Sequence, residues 1–106
     1  MCSSDLTSIN IPDGITVIPY SCFSSCTEMS TITGCKNVSS IGEYAFANSH
    51  LTSYPFGNSL KSIDRSAFQY SYLVSVTIPG SVRTIGEYAF YACSYLEEVK
   101  IGRAHV

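Results

Sequence analysis

The residues able to do chemistry are few, and their spacing does not assemble them. The chain has two histidines, His50 and His105. A Ser-His-Asp arrangement would have to use His50, yet no serine sits in a G-x-S-x-G elbow that would expose it as a nucleophile. Serines are so abundant that one near His50 carries no information. Glu97 and Glu98 are adjacent carboxylates. On a strand, neighbouring side chains point to opposite faces, so these two do not converge as an acid–base pair. No G-x-G-x-x-G, phosphate-binding loop or H-E-x-x-H pattern occurs. The sequence therefore predicts no catalytic residue, no metal site and no cofactor. Two other features carry chemistry. Glu43, Arg65 and Glu87 recur at a spacing of 22 residues with alternating sign. Asn37-Val38-Ser39 is a glycosylation sequon, which matters only in an exported eukaryotic protein.

The elements that would position these residues come from a repeat. Phe23, Phe46, Phe68 and Phe90 are spaced by 23, 22 and 22 residues, each after a small residue (Cys22, Ala45, Ala67, Ala89). Five residues before each stands an isoleucine: Ile18, Ile41, Ile63 and Ile85. Three earlier comes a branched aliphatic: Ile15, Val38, Leu60, Val82. Leu6, Met29, Leu51 and Leu73 open the units, followed by the columns Ile9, Ile32, Tyr54, Val76 and Ile11, Gly34, Phe56, Ile78. The boundaries predicted are 3–26, 27–49, 50–71 and 72–93, with the start of a fifth unit at 94–100.

Within a unit, Val76 and Ile78 alternate with Ser75 and Thr77, the two-residue period of a strand. Pro79 ends that strand because it has no amide hydrogen, and Pro-Gly and Pro-Asp-Gly are turn signals. Val82 to Ile85 predicts a second short strand, and Gly86 a sharp change of direction. Glu87 to Cys93 has the i, i+3 and i, i+4 spacing of about one helical turn, which only inward packing of Phe90 would hold. The phenylalanines and isoleucines are expected to stack as buried ladders. The Glu43, Arg65 and Glu87 column is expected to pair across the ladder, worth about 0–1 kcal/mol per exposed pair.

The signatures IPDGITVIPYSCFSSC, VSSIGEYAFANS, LKSIDRSAFQYS and IPGSVRTIGEYAFYAC resemble the BspA-like leucine-rich repeats found in surface proteins of bacteria and parasitic protists. The match covers roughly residues 3 to 100. Gly34-Cys35 and Phe56-Gly57 depart from the Ile-Pro expected at the end of the main strand. The resemblance implies a right-handed leucine-rich-repeat solenoid with one parallel sheet, short second strands and one-turn helices. It also implies a non-enzymatic adhesion or binding role at a cell surface or outside the cell, through a protein or glycan ligand. The alternatives are an intracellular scaffold or spacer in the cytoplasm, or accessory repeats of a larger enzyme.

In such repeats the outward strand residues pave a concave sheet. Here these are Ser8, Asn10, Thr31, Thr33, Ser53, Pro55, Ser75, Thr77, Glu98 and Lys100, a mainly small, uncharged, polar surface. The tyrosines cluster instead around the predicted helical turn. Tyr44, Arg65, Glu87, Tyr88 and Tyr91 are the candidate edge contacts. Tyr44 and Tyr88 share a column with Ser21 and Ser66, which reads as solvent-facing.

The cysteines number five, an odd count that argues against a complete disulfide framework. Cys26 and Cys93 share a column with Ser49 and Ser71 that calls for a small, weakly polar, buried residue. They lie three repeats apart, about 15 Å at the strand spacing, beyond the ~7 Å reach of a disulfide. Cys22 and Cys26 lack the further ligands of a zinc site. Cys35, in a turn, is expected to be the most exposed thiol.

Length allows one small domain, and the formal net charge is -2. There is no basic stripe to neutralise phosphates, so nucleic acid is an unsuitable partner. No apolar run approaches the ~20 residues of a membrane span, and MCSSDL does not read as a signal peptide. Ile101 to Val106 back-translates as ATC GGA AGA GCA CAC GTC, a common sequencing-adapter read. Residues 101–106 are thus expected to be a non-native tail on a fragment of a longer repeat protein, and carry no functional reading.

Overall fold

The computed structural model describes residues 7–101. Cys2, Leu6, His105 and residues 102–106 of the expected tail lie outside them. Each repeat is one coil of a β-solenoid. The main strands are β1 (Ser8–Ile11), β3 (Thr31–Gly34), β6 (Ser75–Ile78) and β8 (Glu98–Ile101). The short strands are β2 (Val17–Ile18), β4 (Ser40–Ile41), β5 (Ser62–Ile63) and β7 (Thr84–Ile85). All pairings are parallel and follow the repeat, with Ser8 opposite Thr31, Ser62 opposite Thr84 and Ser75 opposite Glu98. Ile101, assigned to the tail by its sequence, completes β8 opposite Ile78.

The expected single main sheet is instead split, and the short strands form the continuous one. β2, β4, β5 and β7 make a four-stranded sheet, whereas β1–β3 and β6–β8 are separate pairs. The break falls at Pro55 of the third coil. Proline offers no N–H to the ladder, and Phe56 donates back to the Tyr54 carbonyl at 3.0 Å, a three-residue turn around Pro55.

The core follows the columns. The phenylalanines stack in parallel, with ring centroids 5.4 Å apart for Phe23–Phe46, 5.2 Å for Phe46–Phe68 and 5.5 Å for Phe68–Phe90. Tyr54 and Phe56 meet Phe68 edge-on, at 5.4 and 5.9 Å. Ile18, Ile41, Ile63, Met29, Leu51 and Leu73 are buried. Ile85, the last of its column, is 43% exposed, and Ile15 is exposed as well.

No helical turn forms at the phenylalanine corner. Three overlapping turns replace it, with Cys22 donating to Pro19 at 3.2 Å, Ser24 to Ser21 at 3.2 Å and Cys26 to Phe23 at 3.2 Å. The intervening N–H groups leave the coil: Ser21, Phe23 and Ser25 donate to the carbonyls of Glu43, Ala45 and Ala47 at 3.0, 2.8 and 2.7 Å. The same alternation links Tyr44, Phe46 and Asn48 to the third coil, and Ser66, Phe68 and Tyr70 to the fourth. An α-helix would keep those donors for its own i−4 carbonyls. Two columns take left-handed backbone to permit the pattern. Ser21, Tyr44, Ser66 and Tyr88 have φ of 52, 59, 57 and 63°, and Ser25, Asn48, Tyr70 and Ala92 have φ of 61, 63, 61 and 58°.

Gly86 serves close approach rather than a left-handed turn. A Cβ on it would stand 2.4 Å from the Arg65 nitrogen of the preceding coil. Gly34 does take φ of 85°, followed by Cys35 at 68°. This swings Cys35 inward to fill the space of the missing isoleucine, so Cys35 is buried at 2% exposure rather than the most exposed thiol. Cys26 is also buried, and it is disulfide-bonded rather than a simple thiol. Of the remaining members of its column, Ser49 and Ser71 are buried as expected, whereas Cys93 is only half-buried. The Cys93 thiol lies 3.3 Å from the Ser71 hydroxyl and donates to the Phe68 carbonyl at 3.2 Å.

Candidate functional site

The main strands expose one row of side chains per alternate position. Ser8, Asn10, Thr31, Thr33, Ser53, Ser75 and Thr77 are all exposed, as the strand period requires. Thr33 donates to the Asn10 side-chain oxygen at 3.0 Å, so the first pair of strands carries a preformed polar rung. Between the two strand pairs, where Pro55 interrupts the ladder, the surface opens into a hollow of about 360 Å³. Ser53, Tyr54, Phe56, Asn58, Ser75 and Thr77 are among its walls. Three predicted contact residues, Ser53, Ser75 and Thr77, are thus brought together there, while Ser8, Asn10, Thr31 and Thr33 lie on the other strand pair.

Below the hollow, the Tyr54 hydroxyl is shut off from solvent beside the Cys35 thiol and makes no hydrogen bond of acceptable geometry. Burial pushes both groups above their ordinary values, so each keeps its proton. Neither supplies a nucleophile to the surface.

The turn edge gathers four of the five predicted edge residues. Tyr44, Arg65, Tyr88 and Tyr91, with Ser66 and Gln69, line a second hollow of about 250 Å³. Glu87 is exposed and is not among its walls. The expected charge ladder does not form: among the described residues no ion pair joins Arg65 to Glu43 or Glu87. The Arg65 guanidinium carbon instead sits 5.8 Å from the centre of the Tyr88 ring, at cation–π range. Tyr91 meets Tyr88 edge-on at 5.3 Å and Tyr70 at 5.7 Å.

The serine–tyrosine column is not uniformly solvent-facing. Tyr88 is half exposed, but Ser66 is 1% exposed and forms the floor of the hollow. Its hydroxyl donates to the Gln69 side-chain oxygen at 2.9 Å. Gln69 was not picked out from the sequence, because its relation to Ser66 is a within-turn contact that no repeat column signals. A second aromatic stack was missed as well. His50 lies on Tyr72 with ring centroids 4.2 Å apart, and Tyr72 on Tyr95 at 5.0 Å. These three share one repeat column, which is the signal that marks them.

Asn37 is exposed, and its amide donates to the Asp13 carbonyl at 2.9 Å, beside an exposed Lys36–Asp13 ion pair at 3.4 Å. Among the described residues no group of three or more His, Cys, Asp or Glu gathers as metal ligands, and no helix is long and apolar enough to cross a membrane.

Comparison with known proteins places this geometry. Residues 1–105 match the family model for the BspA type leucine rich repeat region (6 copies). A search of curated proteins finds no match. Among solved structures, the chain is similar to the pneumococcal vaccine antigen PcpA, with a TM-score of 0.80 and 21% identity over 95% of this chain and 30% of that one. It is also similar to a leucine-rich repeat protein from Bacteroides ovatus, with a TM-score of 0.75 and 22% identity over 92% of this chain and 31% of that one. A leucine-rich repeat protein from Eubacterium ventriosum gives a TM-score of 0.69 and 25% identity over 92% of this chain and 32% of that one. The chain therefore spans about a third of the length of each of these structures. By its repeat columns, its solenoid and the family model that covers nearly all of it, the chain belongs to the BspA-type leucine-rich repeat family.

Proposed function

We propose that the chain is a non-enzymatic interaction module of a surface or secreted leucine-rich repeat protein, and that it acts in adhesion by docking a protein or glycan on its main-strand face. The observation that carries this reading is the hollow beside the Pro55 break, where exposed Ser53, Ser75 and Thr77 stand around buried Tyr54 and half-buried Phe56. A small polar rim around an apolar centre is the general anatomy of a recognition patch. Family membership supports the same reading. The Cys26 disulfide fits an oxidising compartment better than the cytoplasm. Catalysis has no support from a converging set of nucleophile, base and orienting group.

Beads coated with the protein and applied to an epithelial cell monolayer test the proposal. Retention above albumin-coated beads is expected, with a loss of about tenfold for a Ser75→Arg/Thr77→Arg variant of unchanged melting temperature. Retention no better than albumin, or full retention by the variant, would contradict it.

A further inference from the structure

We propose that the hollow at the turn edge binds a single sugar residue carrying a carboxylate. It lies on a different face from the main-strand hollow. It rests on the adhesion reading only for the source of the sugar, a glycan presented to the module. Ser21, Tyr44, Ser66 and Tyr88 form one repeat column on this edge. Successive coils stand about 4.8 Å apart, so Tyr44 and Tyr88 are separated by about 10 Å. Between them the column offers only the hydroxymethyl group of Ser66, and the place of a third ring is left open. That space is the hollow of about 250 Å³. It is smaller than the ~300–1,000 Å³ pockets that enclose drug-sized ligands, so it suits one residue rather than a chain.

The polar side chains lining this space include several donors. Arg65 is exposed, and no hydrogen bond or ion pair with another described residue engages its guanidinium. The Ser66 hydroxyl donates to the Gln69 oxygen at 2.9 Å, which leaves the Gln69 NH2 group to donate. Tyr44, Tyr88 and Tyr91 supply ring surface and phenolic hydroxyls. A matching ligand needs an apolar C–H face for the rings and acceptor oxygens for the donors. A pyranose ring has both, and a carboxylate on it meets the Arg65 fork in the bidentate geometry that guanidinium favours. Among the described residues lining the hollow Arg65 is the one cation, so a single carboxylate on the ligand matches it; Glu43 and Glu87, in the coils on either side, are not among those walls.

The test is titration of the whole chain by saturation-transfer NMR with methyl β-D-glucuronide. Methyl β-D-glucoside serves as the neutral counterpart and phosphotyrosine as the dianionic one. The glucuronide is expected to bind about tenfold or more tightly than the glucoside, with weakening at high salt. Arg65→Met is expected to remove that preference, and Ser66→Tyr to abolish both by filling the gap. The backbone admits the second change, because Tyr44 and Tyr88 already hold φ of 59 and 63° in the same column. Arg65→Met, on the surface, keeps the test decisive if Ser66→Tyr does not fold. Equal binding of the two sugars, no saturable glucuronide binding, unaltered binding by Arg65→Met, or a preference for phosphotyrosine would each overturn the proposal. The last outcome would reassign the hollow to phosphopeptides. Ser75→Arg/Thr77→Arg is expected to leave glucuronide binding intact. Cell retention without glucuronide binding therefore overturns this site alone, and glucuronide binding without cell retention overturns the adhesion reading alone.

Discussion

Single residues show where repetition ends and local circumstance begins. Ser49 occupies a column of small residues and is fully buried, but its hydroxyl has no hydrogen-bond partner. An unpaired buried hydroxyl costs on the order of 1 kcal/mol or more. Ser49→Ala is therefore expected to raise stability by about 1 kcal/mol, read from urea unfolding, and a loss would show that the hydroxyl is satisfied. Cys35 was legible as a departure from the Ile-Pro pattern, but its direction was not. Only the left-handed backbone at Gly34 and Cys35 turns the thiol inward. Burial raises its pKa in the folded state. The protonated thiol is thus favoured by folding, and its stabilising effect is complete below the unfolded value of about 8.5. That effect is lost as pH rises from there through the folded value. Stability measured from pH 8 upward should fall less steeply for Cys35→Ala than for the parent, and iodoacetamide at pH 8 should modify the half-buried Cys93 before Cys35. Faster alkylation of Cys35 would contradict its burial.

At the scale of elements, the strands and ladders were legible because their columns recur. The third side was not. Its spacing fits a helical turn equally well, and of the residues at positive φ in these two columns only Asn48 is of a type that favours it. What decides the matter is the inter-coil hydrogen bonding of alternate amides, which is a property of stacking rather than of any one segment. The split of the main sheet did have a signal in Pro55, a residue without a donor at the centre of a strand. Pro55→Thr gives that position the residue type of Thr33 and Thr77 and restores the N–H. It is expected to join the two strand pairs and to raise amide protection across residues 53–56 by hydrogen exchange. It should also narrow the hollow and so weaken retention on cells. Unchanged protection would show that Tyr54 and Phe56, not the missing donor, hold the gap open. Gly86→Ala tests the close approach on the other sheet. The obstructing atom is backbone, 2.4 Å from the added Cβ, so a loss of about 1–3 kcal/mol in thermal unfolding is expected. No loss would mean that the coils are free to move apart.

The whole molecule is a stack whose two candidate binding faces exist only because successive coils lie in register. The family, the period and the main-strand face were all legible in the sequence. The turn-edge hollow was legible only in its tyrosines and Arg65, because its floor depends on Ser66 being buried between two coils that carry rings. Register is also what converts a 22- or 23-residue spacing into neighbouring side chains, so both functional proposals stand or fall with it. The most direct check is a nuclear Overhauser spectrum of the isotope-labelled chain. In-register contacts are expected between Ser75 and Glu98, between Ser62 and Thr84, and from the Phe68 amide to Ala89. Cross-coil contacts offset from these pairs, or intra-turn i to i+4 contacts at Phe46, Phe68 and Phe90 in their place, would contradict the solenoid and the two faces built on it.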